Sequence, residues 1–435
     1  GTSGADTFYG ASVNFTSADS IAAGDGVDTL EFTDVAVIID LDFNDVTSLE
    51  QLRYGNNNAI LTLGALATAA GITTIVDGTG NTTLTLEAGH TNSTTIHLAT
   101  GNDTITAATY TGALTVNVHA DSITSVDTLI GGSGSSDTIN ITASPTTLTA
   151  AELSTVSGFE NLNIVANFTT GLITLSDSNI AAGKSLTINA TAQTTTNFLL
   201  NAANESDGNV IINRGASTGT ATVTLGQGND TYSSTSSGAD TVVATAGNNT
   251  ISTGAGNDLI TSGAGADTIN AGAGTDTVNY SGNKNDWLIT KSTTAPNQYS
   301  IANKAGSKGT DILIGVEKLS FDDGDIDLAT YFNSSYTLTS NSPTITEGDT
   351  GTKNLAFTLT LDSTPTSDVT VNYETLTTGT ATAGDDFTAS SGTVTFSSGS
   401  KTATVNVAIK GDTTVENDET VKIKFTGDSL TADVT

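Results

Sequence analysis

Asp240, Asn249, Asp258, Asp267 and Asp276 follow one another at an unbroken nine-residue spacing, and Asp230 precedes them after a one-residue insertion. Two places after each stands an apolar or aromatic residue: Tyr232, Val242, Ile251, Ile260, Ile269 and Val278. Gly254 and Gly256, Gly263 and Gly265, and Gly272 and Gly274 lead into the last three acids. Carboxylate and backbone carbonyl oxygens, with no cysteine anywhere, are the donors a hard cation takes. The glycines permit positive φ and close approach of carbonyls. The apolar residue two places on points to the inside of a short strand. Such strands stack ~4.8 Å apart, so successive unneutralised aspartates would repel strongly. A cation held between turns removes that penalty.

The elements that carry these residues must come from an acidic, hydrophobically modest chain. It has 435 residues, 36% of them hydrophobic, with 46 acidic and 13 basic side chains and a formal charge of −33. Such a surface repels nucleic acid and anionic lipid and attracts multivalent cations. Without cysteine, neither disulfides nor thiolate sites can add stability, which leaves calcium as the leading candidate. No stretch is long and apolar enough to span a membrane. The chain lacks methionine and opens on "GTSGADTFYG", which reads as an excised fragment. Richness in Thr, Ser, Asn and Gly predicts short strands and tight turns, an all-β fold.

The nonapeptides match the form G-G-x-G-x-D-x-U-x, and over about six rungs the chain resembles the calcium-binding repeat-in-toxin (RTX) proteins. That resemblance implies a parallel β-roll, two nonapeptides per coil, with several calcium ions held between turns n and n+2. One edge would carry Asp240, Asp258 and Asp276, and the other Asp230, Asn249 and Asp267. Asn249 brings no charge and its rung, "TAGNNTI", lacks the second glycine, so its edge should bind calcium more weakly.

Fainter copies of the repeat surround Asp6, Asp28, Asp103 and Asp137. As isolated rungs they are as well explained by Asp-containing β-turns as by metal ligands. A second recurrence, Glu-x-Leu at Glu50, Glu160 and Glu317, follows repeat-like turns and reads as a degenerate module. Between these markers, short alternating runs such as "ALTVNVH" and "SLTINAT" indicate a solenoid or sandwich. "LGALATAAG" (63–71) and "TAAELSTVSG" (149–158) read as short helical caps or turns. The phrase "TAAELSTVSGFENLNIV" loosely resembles bacterial surface-layer proteins.

From about residue 337 an alternating pattern predicts an Ig-like sandwich. Through "GTATAGDDFTASSGTVTFSSG" and "GDTTVENDET", it closely resembles the Calx-β domain. The resemblance implies a calcium site at one end made by Glu347, Asp386, Asp412, Glu416 and Glu419. Gly411 stands where the family has a second acid, which would weaken that site. The chain stops at "TADVT", before the family's usual last strand.

The expected divisions are a degenerate RTX-like segment at 1–54, a β-rich surface-layer-like region at 55–221, an RTX β-roll with its closing segment at 222–335 and a Calx-β sandwich, incomplete, at 336–435. Motifs that suggest catalysis are weak. "GASTG" (215–219) lies between strands rather than at a strand-to-helix elbow, and "GDSL" (427–430) ends a strand. His90, His97 and His119 form no H-E-x-x-H and are expected at the surface, with a shared ion at His90 and His97 the rarer outcome. The acids of "FDDGDID" (321–327) read as a calcium or solvation loop closing the roll.

The whole reads as a non-enzymatic, calcium-binding structural segment of a secreted bacterial cell-surface protein, extracellular, exported by a type I system. Its possible partners are copies of itself in a lattice, or cell-surface glycans. The alternatives are the folding tail of a secreted RTX enzyme and a calcium-dependent adhesin module.

Overall fold

A computed structural model describes all residues except 135, 143–146, 166–170, 333–335, 366–367, 428–429 and 431–435. The chain divides into two compact units, Gly1–Asp325 and Ile326–Thr435.

In the first unit, fourteen parallel strands follow one another in one sheet, from Thr7–Gly10 through Leu114–Val118 and Thr250–Ser252 to Thr310–Ile314. Each pairs with the next along the chain, one coil later. Residues Leu30, Leu52, Ile75, Ile96, Val116, Ile139, Leu162, Ile188, Ile212, Tyr232, Ile251, Ile269 and Leu313 occupy one register column, each the Cα partner of its neighbour. All are buried, so the column is the spine of the core. Across from it run two further parallel sheets, one from Ala36–Ile38 to Val156–Ser157 and one from Thr147–Leu148 to Lys318–Phe321. Ile173, Leu200, Val223, Val242, Ile260, Val278 and Leu319 form the facing column. Alternation along each strand points one set of side chains inward and the other to solvent.

The divisions expected at 54/55 and 221/222 fall within this ladder, whose strands pair without interruption across both. Coil length is what changes. Along the long sheet, equivalent residues are 18 apart in the repeats and 20 to 26 apart upstream. Longer turns absorb the difference, so the sheet continues although the nine-residue period does not. The expected helices form at Ala65–Ala70 and Ala150–Leu153. Asp40 caps the first from a neighbouring coil, accepting from the backbone N–H groups of Gly64, Leu66 and Ala67, the donors a helix start leaves unpaired.

A row of amides stitches five coils. Asn140 donates to Asn117 at 2.8 Å, Asn163 to Asn140 at 2.9 Å, Asn189 to Asn163 at 2.7 Å and Asn213 to Asn189 at 3.0 Å. Each amide both donates and accepts along the stacking direction, which fixes the register where no acidic repeat is present. After the last nonapeptide, an antiparallel pair, Trp287–Lys291 and Gln298–Asn303, adds to the edge of the long sheet. Asp322 and Asp323 accept from the N–H groups of Gly282 and Lys284, and Asp325 pairs with Lys318. These acids of the expected closing loop are thus held by backbone and lysine.

The second unit consists of two three-stranded antiparallel sheets. One orders Leu338–Ser340, Thr352–Leu361 and Thr402–Lys410, the other Ser391–Phe396, Val369–Leu376 and Lys422–Thr426. Leu359, Val371, Phe387, Phe396, Val407 and Phe425 fill the space between them, which makes a sandwich. The "TADVT" end and the middle two residues of "GDSL" lie outside the described residues.

Candidate metal sites

Through the repeats each rung carries an acid, or at Asn249 an amide, that accepts a backbone N–H from one coil earlier. On one edge Val210 donates its N–H to Asp230 Oδ1 (2.7 Å), Asp230 to Asn249 Oδ1 (2.9 Å), Asn249 to Asp267 Oδ1 (2.8 Å) and Asp267 to Asp311 Oδ1 (2.9 Å). On the other, Ala221 donates to Asp240 Oδ1 (2.9 Å), Asp240 to Asp258 Oδ1 (2.7 Å), Asp258 to Asp276 Oδ1 (2.7 Å) and Asp276 to Glu317 Oε2 (2.9 Å). One oxygen of each side chain therefore serves the ladder. The fate of the other separates the sites.

Asp230, Asp258 and Asp276 each keep a buried Oδ2 without a partner. A buried carboxylate oxygen left so is costly, and a carboxylate oxygen is the kind of donor that a calcium ion takes. When bound, the ion neutralises acids stacked on successive coils. The glycines bring the turns within reach. A Cβ at Gly272 would lie 1.8 Å from Gly254 O, and one at Gly274 1.6 Å from Gly256 O, so no side chain can stand at either position. Gly254, Gly256, Gly265, Gly272 and Gly274 have positive φ, whereas Gly263 does not.

The remaining positions are closed by the protein itself. Asn249 Nδ2 donates to Ala246 O, Gly247 O and Asp267 Oδ1, turn carbonyls and a neighbouring carboxylate, the same kinds of oxygen a cation would draw together. Ser262 Oγ, with one proton to give, donates to Asp267 Oδ2 at 2.9 Å and lies 2.8 Å from Asp311 Oδ2, which accepts from Tyr280 in the core. At Asp240 a buried guanidinium enters: Arg214 Nη1 lies 2.6 Å from Asp240 Oδ1, while Nη2 meets Ser217 Oγ and Gly219 O. Tyr232 donates to the other Asp240 oxygen at 2.8 Å. Both groups of the Arg214–Asp240 pair are fully buried.

The fainter copies are not isolated rungs, because register supplies the second turn that sequence distance hides. Asp6 donates its N–H to Asp28 Oδ1 and Asp28 to Glu50 Oε2. Thr82 donates to Asp103 Oδ1 and Asp103 to Asp127 Oδ1. Leu114 donates to Asp137 Oδ1 and Asp137 to Glu160 Oε2. Glu50, Glu160 and Glu317, noticed in the sequence only as markers, are thus ladder ends. Asp28 and Asp103 retain an unpartnered buried oxygen. The second oxygen of Asp137 accepts from Gly132 N–H, and the carboxylate of Asp6 is held by Thr2.

Burial pushes the carboxyls of Asp230, Asp240 and Asp267 upward. It lifts Asp103 to about 7, and Asp276 and Asp311 to about 6, from an ordinary 3.8. Between about pH 4 and pH 7 the folded, metal-free chain therefore binds protons that the unfolded chain has released, and its stability falls as pH rises through that window. Without calcium, the β signal in circular dichroism is expected to be weaker at about pH 7.5 than at about pH 5.5, with saturating calcium removing the difference because the ion takes the proton's place. A calcium-free β signal that grows over this range would contradict it.

In the second unit, Asp386, Glu416 and Glu419 offer oxygens within 4.8 Å of one another. Desolvation, and then the charges of Asp386, Asp412, Glu347 and Asp385, push the Glu416 carboxyl up. Desolvation followed by Asp386, Glu416 and Glu347 does the same at Glu419. The five expected acids form one electrostatic cluster, joined by Asp385. Among the described residues of this unit no buried carboxylate oxygen lacks a partner, unlike the first unit.

The other motifs resolve into structure. Ser217 of "GASTG" spends its hydroxyl on Arg214 and on the N–H of Gly219, in a turn. His90, expected at the surface, is fully buried; its two ring nitrogens meet Thr68 and Thr94 and it stacks on Tyr110. Covering that ring in the core costs less than leaving it unpaired, because both nitrogens are satisfied. His97 and His119 are exposed.

Comparison with protein families finds the RTX calcium-binding nonapeptide repeat at 234–269, 244–278 and 258–286, and the Calx-beta domain at 334–433. No curated protein matches the chain. The chain thus carries calcium-binding RTX nonapeptide repeats inside a parallel β-solenoid and a Calx-beta domain at 334–433.

Proposed function

We propose that this chain is a structural segment of a secreted bacterial cell-surface protein that folds on calcium outside the cell, holds or spaces other parts of an assembly, and performs no catalysis. The observation that carries the reading is the pair of carboxylate rows, in which Asp230, Asp258 and Asp276 keep buried oxygens unpartnered. With a charge of −33, the chain repels itself when calcium is scarce. That suits passage through a narrow type I export channel. With a site constant of ~0.1 mM, calcium at ~1 mM adds about 1.4 kcal/mol per site, and several sites acting together decide whether the coils close. The exposed, acidic flanks of a long solenoid suit a spacer or lattice element, in a surface layer or a large adhesin.

Circular dichroism and small-angle scattering during a calcium titration, with magnesium as control, test the reading. A cooperative gain of β structure with loss of radius at sub-millimolar to millimolar calcium is expected, and particle growth at higher protein concentration would favour a lattice. A compact fold indifferent to chelator would overturn the folding switch.

A further inference from the structure

We propose that Asp177, Glu205 and Asp207 hold a divalent cation of calcium size that clamps two consecutive turns of the solenoid upstream of the nonapeptide repeats. The three side chains come from adjacent coils. Asp177 follows the strand Leu172–Thr174, and Glu205 and Asp207 follow Phe198–Asn201; the two strands pair in register, Leu172 with Leu199 and Thr174 with Asn201. Each residue offers a carboxylate oxygen, and the three lie within 4.8 Å of one another. One ion with bonds of about 2.4 Å spans such a gap, whereas magnesium, at about 2.1 Å, would need a tighter cage.

The cluster is more than a group of surface acids. Glu205 is fully buried. Its Oε1 accepts from Gly208 N–H (2.9 Å) and Asp207 N–H (3.3 Å), which fixes the side chain, while Oε2 has no partner. A fixed, buried carboxylate with one oxygen unpartnered, beside two further carboxylates, is satisfied by a cation, since burial of an uncompensated charge is otherwise unfavourable. No lysine or arginine among the described residues forms an ion pair with the three. Burial, and after the loop's own N–H groups have pulled back, the charges of Asp177 and Asp207, push the Glu205 carboxyl upward, in keeping with a group that lacks a counter-charge.

The turns are already aligned for bridging. Ser206 donates both its N–H (3.0 Å) and its hydroxyl (2.6 Å) to Asp177 Oδ1, and Gly183 N–H reaches Asp207 O at 2.9 Å. On the next coil Gln227 N–H donates to Glu205 O at 3.0 Å. The site therefore lies one coil before the row that begins at Asp230, outside the span 234–286 of the matched repeats.

Native mass spectrometry of the whole chain in calcium, paired with hydrogen exchange, tests the assignment. Glu205→Gln and Asp207→Asn are each expected to hold one ion fewer than the unaltered chain. Calcium should slow exchange of the 202–209 amides at least tenfold in the unaltered chain and in neither variant, while protection of 250–278 is retained in all three; magnesium should not reproduce the effect. Asp207 is exposed, so its variant remains informative if Glu205→Gln fails to fold. An unchanged ion count in the Asp207 variant, or exchange at 202–209 that calcium leaves untouched while it slows 250–278, would overturn the site. Failure of calcium to protect 250–278 would count against the folding switch instead.

Discussion

Asp258→Asn is expected to raise the calcium concentration at half-folding by about tenfold, equivalent to about 1.4 kcal/mol, whereas Asp267→Asn should move it less than about threefold. Asparagine is the informative replacement because it keeps the ladder acceptor while removing the charge and turning the second oxygen into an amide donor, as Asn249 does naturally. At Asp258 the second oxygen is buried and unpartnered, so the substitution strips the feature that draws an ion. At Asp267 the second oxygen already accepts from Ser262 at 2.9 Å, and Oδ1 also receives the Asn249 amide at 3.0 Å. Those donors occupy places a cation would need. The measurement is the midpoint of a calcium titration followed by circular dichroism, with urea stability at saturating calcium as the control for general damage. Equal shifts at the two positions would sink the idea that the two edges differ in calcium affinity.

The nine-residue period made this much legible: a row of acids on each edge, a buried apolar column two residues on, and one uncharged rung at Asn249. What it could not show was how far the solenoid extends. Coils of 20 to 26 residues break any fixed period while leaving the parallel register intact, so Asp6, Asp28, Asp103 and Asp137 read as solitary turns. A signal was present in the recurrent strand core at Asn117, Asn140, Asn163, Asn189 and Asn213, where one amide follows a buried apolar residue coil after coil. Asp311 was hidden differently. An inserted antiparallel pair puts it 44 residues beyond Asp267, although "KGTDILI" repeats the texture of "AGTDTVN" around Asp276. Glu205 and Arg214 left no local trace, because their roles depend on which coil lies beside them.

Arg214→Met is expected to destabilise the first unit by about 3–5 kcal/mol, the cost of leaving a buried charge without its partner. Arg214 is fully buried with Nη1 2.6 Å from Asp240, and its Nε has no partner, so the contact with the carboxylate must offset much of its own desolvation. The double variant Arg214→Met/Asp240→Asn should recover most of the loss, since it removes both charges together; urea unfolding at saturating calcium gives both numbers. A loss below about 1 kcal/mol, or strictly additive single-variant effects, would refute the pairing. The position of the arginine gives the result its meaning. On the coil before Asp240 the register partner is Ala221, where no carboxylate remains to share an ion. A permanent cation stands there instead, bonded to Asp240 and to the turn carbonyl Gly219 O. On this edge the Arg214–Asp240 pair is balanced by the chain itself, so the demand for an ion begins one coil later, at Asp258 and then Asp276.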